Sequence, residues 1–533
     1  MRQPNACLGA LLLTAAVLSS TSTTSYAQMS AADTAQLGLE VAWQAHVQLP
    51  RTGTGIVSSH LWVEPTKPRK YAIVELPDRI IRVAAEHLDR RGEPIGIAEA
   101  KKQAAEQAAR VLGTSEAPPV VEVTVPRIKL VMVTSDGLVQ ALDAETGQLL
   151  WSTACGSSSA PAHPAAVSAA GVVVIHGTNL YLLDWESGAP RLARPLRYAS
   201  ANAVGLCGSQ AFVSDFTGRV ELYGLAEPQK PWGYRIQGRA IGNPVSLQVA
   251  ESTFCAIAST DGYVYVFEGG ETPGVYLRYQ TPSAISGSLT TANSAFYVGT
   301  TAGLITKFSV EERLGRILWE FRSGQTITTP PLIAGTQLFA TTESGDVFSL
   351  DDERGLPLWS HPGLGLVQAI AKVGDRVICT SLAGELYAMN AENGKVLGKT
   401  SALDLAASIS NQLHDRVYVL AENGRVQCLR PVGAELPTFL VPLQAEEEEP
   451  EEAPQAPAAA TPSDNPFEAG GSQAAPANTL DPFGGAAPAS SPAPADPFGG
   501  AGGADPFGSA PGADPFGGGD PFGGGDPFGA TNE

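Results

Sequence analysis

Lysine and arginine are missing from the C-terminal end of this chain: from Ala445 to Glu533 there are 15 acidic residues and no basic one. The tail therefore carries 15 of the 20 net negative charges of the 533 residues, and the body before it is only mildly acidic. No basic face is offered for neutralising phosphates, which excludes nucleic acid as a partner. The seven histidines contain no HxH or HxxxH pair, so no metal cluster is indicated. Of six cysteines none are adjacent and none form CxxC. With Cys7 set aside as part of an N-terminal leader, five remain, most in or beside predicted strands. They read as small buried apolar residues, with one disulfide left open. Apolar runs are short: Leu8 to Leu18 cannot span a bilayer, and no later segment is apolar enough for a membrane helix. The chain has no G-x-S-x-G elbow, and the Ser-rich CGSSSAP at 155 reads as a connecting loop. It has no acidic calcium loop either; the Asp-Gly and Asn-Gly pairs at 136, 261, 393 and 423 are what hairpin turns require, because φ is positive there.

What is present is a repeat. Lys129 to Trp151 reads as a strand, a tight Asp136-Gly137 turn, a second strand, a turn at Thr146-Gly147 and a third strand ending in Trp151. The glycine after the first turn recurs at Gly177, Gly218, Gly262, Gly303, Gly345, Gly384 and Gly424, in steps of 39 to 44 residues. Gly303 and Gly345 lead to Trp319 and Trp359 as Gly137 leads to Trp151. A period near 41 residues with four short strands per unit is that of a propeller blade. Runs such as VVVI at 172 and AFYV at 295 are apolar on both sides, as strands packed between neighbouring sheets must be. A β-sandwich with regularly spaced turns is the competing reading, and eight markers at seven near-equal steps speak against it.

Residues 1–27 read as a secretory leader, with Arg2, an apolar segment and a Ser25-Tyr26-Ala27 cleavage site. Cys7 precedes the apolar segment, so a lipid-anchored cysteine is not expected and the chain should be exported, soluble, and periplasmic or extracellular. Residues 28–126 form an N-terminal segment holding an isolated Trp43 strand, a hairpin around Pro77-Asp78 and a helix over Ile97 to Leu112. The unit after Gly424 lacks a Trp strand, and the Trp43 strand is expected to fill that gap, joining the chain ends in one blade. Residues 127–443 hold the propeller repeats, and the ring is expected to be all-β, eight-bladed and monomeric, with the hairpin a possible ninth unit. Residues 444–533 open with an acidic, Pro- and Ala-rich linker and are expected to be disordered. The tail presents Phe467 in Asn-Pro-Phe and Phe483, Phe498, Phe507, Phe516, Phe522 and Phe528 in Asp-Pro-Phe. These seven are the candidate partner-binding residues, many weak copies on one tether; a merely solubilising tail is the alternative.

Asp143 to Trp151, with partial copies at Asp184 to Gly188, Asp351 to Trp359 and Asn390 to Gly394, resembles the PQQ-binding-like β-propeller repeat, over roughly Lys129 to Arg430. That family includes quinoprotein alcohol dehydrogenases and the non-enzymatic propeller subunit of the outer-membrane β-barrel assembly machine. The dehydrogenases hold their quinone with an aromatic plate and, in many members, two adjacent cysteines, and hold calcium with Glu, Asn and Asp. Those cysteines are absent here and no such acidic set is recognisable, so the resemblance implies the second kind of member. The expectation is a non-enzymatic exported scaffold without cofactor or metal, its partners other envelope proteins. A quinone-dependent dehydrogenase and an adaptor working through its Asp-Pro-Phe tail remain the alternatives.

Overall fold

In the computed structural model, the residues described are 29–49, 54–77, 79–113, 118–226, 230–250, 252–310, 315–401, 403 and 405–441. The leader and the seven tail phenylalanines lie outside them. Among the described residues eight antiparallel sheets form. The first contains Ile56–Glu75, Val121–Thr134, Leu138–Asp143 and Leu149–Ala154, with Ile80–Ala84 added beside the far end of its long strand. The second runs from Ala166–Ser168 to Pro190–Pro195, the third from Gly205–Cys207 to Trp232–Arg235 and the fourth from Ala240–Val249 to Gly274–Gln280. The fifth runs from Ile285–Ala292 to Arg316–Arg322, the sixth from Leu332–Ala334 to Val347–Asp351 and the seventh from Leu366–Val373 to Val396–Lys399. The eighth joins Leu405–Ile409, Val417–Ala421 and Arg425–Pro431 to an outermost strand from the other end of the chain, Leu39–His46.

Each marker glycine sits at positive φ in the turn between the second and third strands of its sheet. The strands on either side of those turns are largely buried, and Gly171–His176, Ala295–Thr300 and Leu304–Ser309 are buried at every position. Eight apolar clusters result, each drawn from two successive sheets, and the last joins the eighth sheet to the first. The sheets therefore close into a propeller ring.

The structure explains why the repeat reads D-x-x-x-G-x-x-x-W. The Asp143 carboxylate accepts the N–H groups of Glu145 (3.0 Å) and Thr146 (2.9 Å), fixing the turn, and Asp184 and Asn390 do the same in theirs. The turn glycine then receives the tryptophan of the preceding sheet. Trp43 lies against Gly147, Trp151 against Gly188, Trp319 against Gly355 and Trp359 against Gly394, so that a Cβ on any of these glycines would strike the indole. Each indole N–H donates to the carbonyl after the turn's first residue: Trp43 to Ala144 (2.9 Å), Trp151 to Trp185 (2.8 Å), Trp319 to Asp352 (2.8 Å) and Trp359 to Ala391 (2.9 Å). Trp43 thus makes across the chain ends the contact that other tryptophans make within the ring.

Sheet six has only three regular strands. Its fourth segment touches Val347–Asp351 at isolated bridges, because Pro357 and Pro362 remove two donors from the ladder. No outer tryptophan stands on sheet seven. A short helix α1, Ala31–Leu37, covers that strand instead, capped by Ser30 and Asp33 and tied by Arg376, whose Nη1 donates to the Leu37 carbonyl (2.8 Å).

The hairpin around Pro77 is no separate unit. Arg69–Glu75 is the end of the same strand whose beginning lines the ring; its residues 69–73 pair with Val121–Val125 and its residues 71–75 with Ile80–Ala84. Helix α2, Gly96–Leu112, lays Ala100, Ala104 and Ala108 on Ala72, Val74, Ile81 and Val83. Much of the N-terminal segment before residue 127 therefore belongs to the ring or its direct extension. All five described cysteines are buried and free, which leaves no disulfide among them.

Candidate binding face around the channel mouth

Numbering strands outward from the axis, the turns between strands one and two lie on one face of the ring. In sheets two to seven these turns are two residues long, and Gly208, Ala250, Asn293, Ser294, Gly335 and Gly374 occupy positive φ in them. The first and eighth sheets depart from this. In the first, the connection is the excursion through the hairpin and α2; in the eighth it is a loop from Ser410 to Arg416.

That loop folds over the channel. Gln412 Nε2 donates to Thr290 Oγ1 on the fifth sheet (3.3 Å), three sheets away from its own. Asn411, buried, holds the loop from inside: its Nδ2 donates to the carbonyls of His414 (2.8 Å) and Arg416 (2.7 Å), and its Oδ1 accepts from Leu413 and His414 N–H. His414 is wedged edge-on between Tyr418 and Phe439, and burial pushes its imidazole down to about 3, so it is neutral.

The chain after the last strand returns as a strap across this loop. Thr438 and Asp415 exchange hydrogen bonds (3.0 and 2.9 Å), Leu440 N–H donates to the Leu413 carbonyl (2.8 Å), and Leu440 reaches the apolar cluster of the sixth and seventh sheets. Leu436 and Phe439 cover the second face of the Tyr71–Glu75 extension.

Charge holds the same region. Arg69 Nη2 meets the buried Asp143 Oδ2 at 2.6 Å and Arg69 Nε meets Glu86 at 3.0 Å. Glu145 accepts from Tyr71 OH (2.7 Å) and Arg82 (2.6 Å); Arg82 also donates to the Glu435 carbonyl (2.7 Å), and Arg430 pairs with Glu435 and Glu40. Burial alone would raise Asp143, but the hydrogen bond and charge of Arg69 outweigh it and hold the carboxyl below its ordinary value. One network thus fastens the extension, the first sheet, the strap and the closing strand.

Two cavities that share wall residues, Trp62 and Leu413 among them, open beside the loop. The narrower, about 550 Å³, follows the innermost strands of sheets one to four, from His60 and Trp62 to Asn243 and Ser246. The wider, about 990 Å³, lies at the channel mouth, with Trp62, Val167, Leu247 and Leu413 in its walls and Val441, the last described residue, at its rim. Among the described residues neither is lined by Lys, Arg, Asp or Glu. A quinone bearing carboxylates beside calcium needs both cationic and anionic neighbours, so these linings do not fit it. No group of three metal-ligating side chains occurs among the described residues.

The family model described as Outer membrane protein assembly factor BamB matches this chain over residues 98–269 and 269–435. The chain belongs to the BamB family. The BamB of Shewanella oneidensis is 23% identical over 316 residues, covering 57% of this chain and 69% of the relative. That of Moranella endobia is 23% identical over 318 residues, covering 56% and 72%. The crystal structure of BamB from Moraxella catarrhalis superposes with a TM-score of 0.45 at 17% identity, over 57% of this chain and 91% of that one. The BamB match begins at residue 98, so the closing strand and the long strand of the first sheet lie outside it.

Sequence reasoning missed the loop, the strap and both cavities. One signal was available: between the strand ending at Ile409 and that starting at Val417 the sequence SNQLHDR stands where other sheets have two residues.

Proposed function

We infer that this chain is an exported, non-enzymatic scaffold that binds other envelope proteins during outer-membrane protein assembly. The observation that carries the reading is its membership of a family described as an outer membrane protein assembly factor. The face just described supports it: a rigid ring presents loops and an apolar recess without a convergent catalytic set, which suits protein binding. The export step rests on the leader over residues 1–27. Among the described residues no helix is long and apolar enough to cross a membrane. The tail phenylalanines 467, 483, 498, 507, 516, 522 and 528 supply a second, multivalent set of contacts beyond the ring.

Crosslinking in intact cells, followed by recovery of the propeller, tests the reading. It is supported by co-recovery of an outer-membrane assembly component together with reduced folded β-barrel protein when the chain is depleted. Unchanged β-barrel levels, or tight uptake of PQQ and calcium with alcohol oxidation, contradict it.

A further inference from the structure

We propose that the wider cavity at the channel mouth is a receptor for the Asp-Pro-Phe segment, presented by a second copy of this chain. Three observations converge. First, the cavity has the chemistry of an aromatic pocket: Trp62, stacked on Trp185 (centroids 5.6 Å apart), stands with Val167, Leu247 and Leu413 around about 990 Å³, and no ion lines it among the described residues. A phenylalanine ring entering it would bury roughly 150–250 Å². Its proline neighbour has a fixed φ, so less freedom is lost on binding. The exposed Ser209 hydroxyl at the rim offers a donor to the aspartate that leads each motif.

Second, the strap brings the chain to this place. Val441 is itself a rim residue, and everything that follows it in the sequence is the segment bearing the seven motifs. Third, the numbers do not match within one copy. This cavity takes one Pro-Phe segment at a time while each tail carries seven, so most of the segments are left for other copies. The ring stays a closed monomeric unit, and association runs from motif to cavity. Each contact is weak, and two copies that exchange tails make two linked contacts, the second at a raised effective concentration.

The proposal stands apart from the assembly role and is tested by complementation with full-length chains in sedimentation velocity. One chain carries Ala169→Trp, which fills the cavity from an exposed turn position; another carries all seven tail phenylalanines changed to serine; thermal melts confirm that both rings are folded. Expected is concentration-dependent association of the unaltered chain and its loss in each variant alone. Mixing the two restores association, because one contributes motifs and the other a cavity. Multivalent contact gives a difference of about a hundredfold or more in apparent affinity between the unaltered chain and either variant. Three results overturn the proposal: an unaltered chain that stays monomeric, an Ala169→Trp chain that associates alone, and a mixture that fails to associate.

Discussion

Sheets two to seven and the pair formed by sheets one and eight are built from the same repeat but held by different means. The regular sheets use two-residue turns, largely buried second and third strands and, on the fifth and sixth, a tryptophan seated on the next sheet's glycine. The closing pair keeps that contact in Trp43 and Gly147, then adds a charged network, the extension with α2, the channel loop and the strap. A ring of near-equal units has one place where its ends must meet. Spending polar structure there makes closure specific to one register, and it also breaks the regularity that elsewhere leaves a face flat. The cavities are a consequence, since the strap and the channel loop supply walls no two-residue turn could give.

The largest effect that separates the two regions is expected from Trp43→Ala. The loss combines a buried aromatic with a hydrogen bond across the chain ends, about 3–5 kcal/mol by urea unfolding. Trp359→Ala removes the equivalent contact inside the ring and should cost no more; a greater cost there would show closure to be an ordinary interface. Next comes Arg69→Ala, which strands the buried Asp143 and should lose roughly 3–5 kcal/mol, while Arg69→Ala with Asp143→Asn recovers part of it. Asn411→Ala loosens the channel loop alone and should lower stability by about 1–3 kcal/mol through its unpaired carbonyls.

Acid should act on the closing region before any carboxylate titrates. In the unfolded chain His414 takes its proton near pH 6.5, whereas burial delays protonation to about pH 3 in the folded ring. Its contribution is therefore complete above pH 6.5 and is lost progressively as pH falls toward 3, since the unfolded state binds more protons throughout that window. His60, pushed by burial to about 4, adds in the same direction. Unfolding free energies measured from pH 7.5 to 4.5 should fall, with a shallower slope in His414→Phe. An unchanged slope would remove His414 from the account. At the small end, Leu382→Ser in the turn between the second and third strands of sheet seven, 92% exposed, should change stability by less than about 0.5 kcal/mol.

How far the sequence discloses this molecule follows the same division. The turns at the eight marker glycines, the Lys129 to Trp151 meander, the helix after Ile97 and the completion of the last sheet by the Trp43 strand were all legible, because each depends on local turn chemistry or on a repeated apolar pattern. The long strand Ile56–Glu75 was not, since a bulge between Glu64 and Arg69 lets it serve ring and extension in turn. Nor was Arg69 beside Asp143, two residues far apart in sequence that only strand pairing brings together. The binding face depends on such long-range meetings, so it could be seen in the sequence only as an irregular spacing before Val417. The seven tail phenylalanines were conspicuous in the sequence and lie beyond the described residues.

The claim on which the rest depends is that Leu39–His46 is a structural strand of the eighth sheet, closing the ring against Arg425–Pro431. Native-state hydrogen exchange resolved to those two segments measures this directly. Their paired amides are expected to exchange only through global unfolding, at the same free energy as the core strand Gly171–His176; exchange of residues 39–46 within seconds while that core stays protected would contradict it.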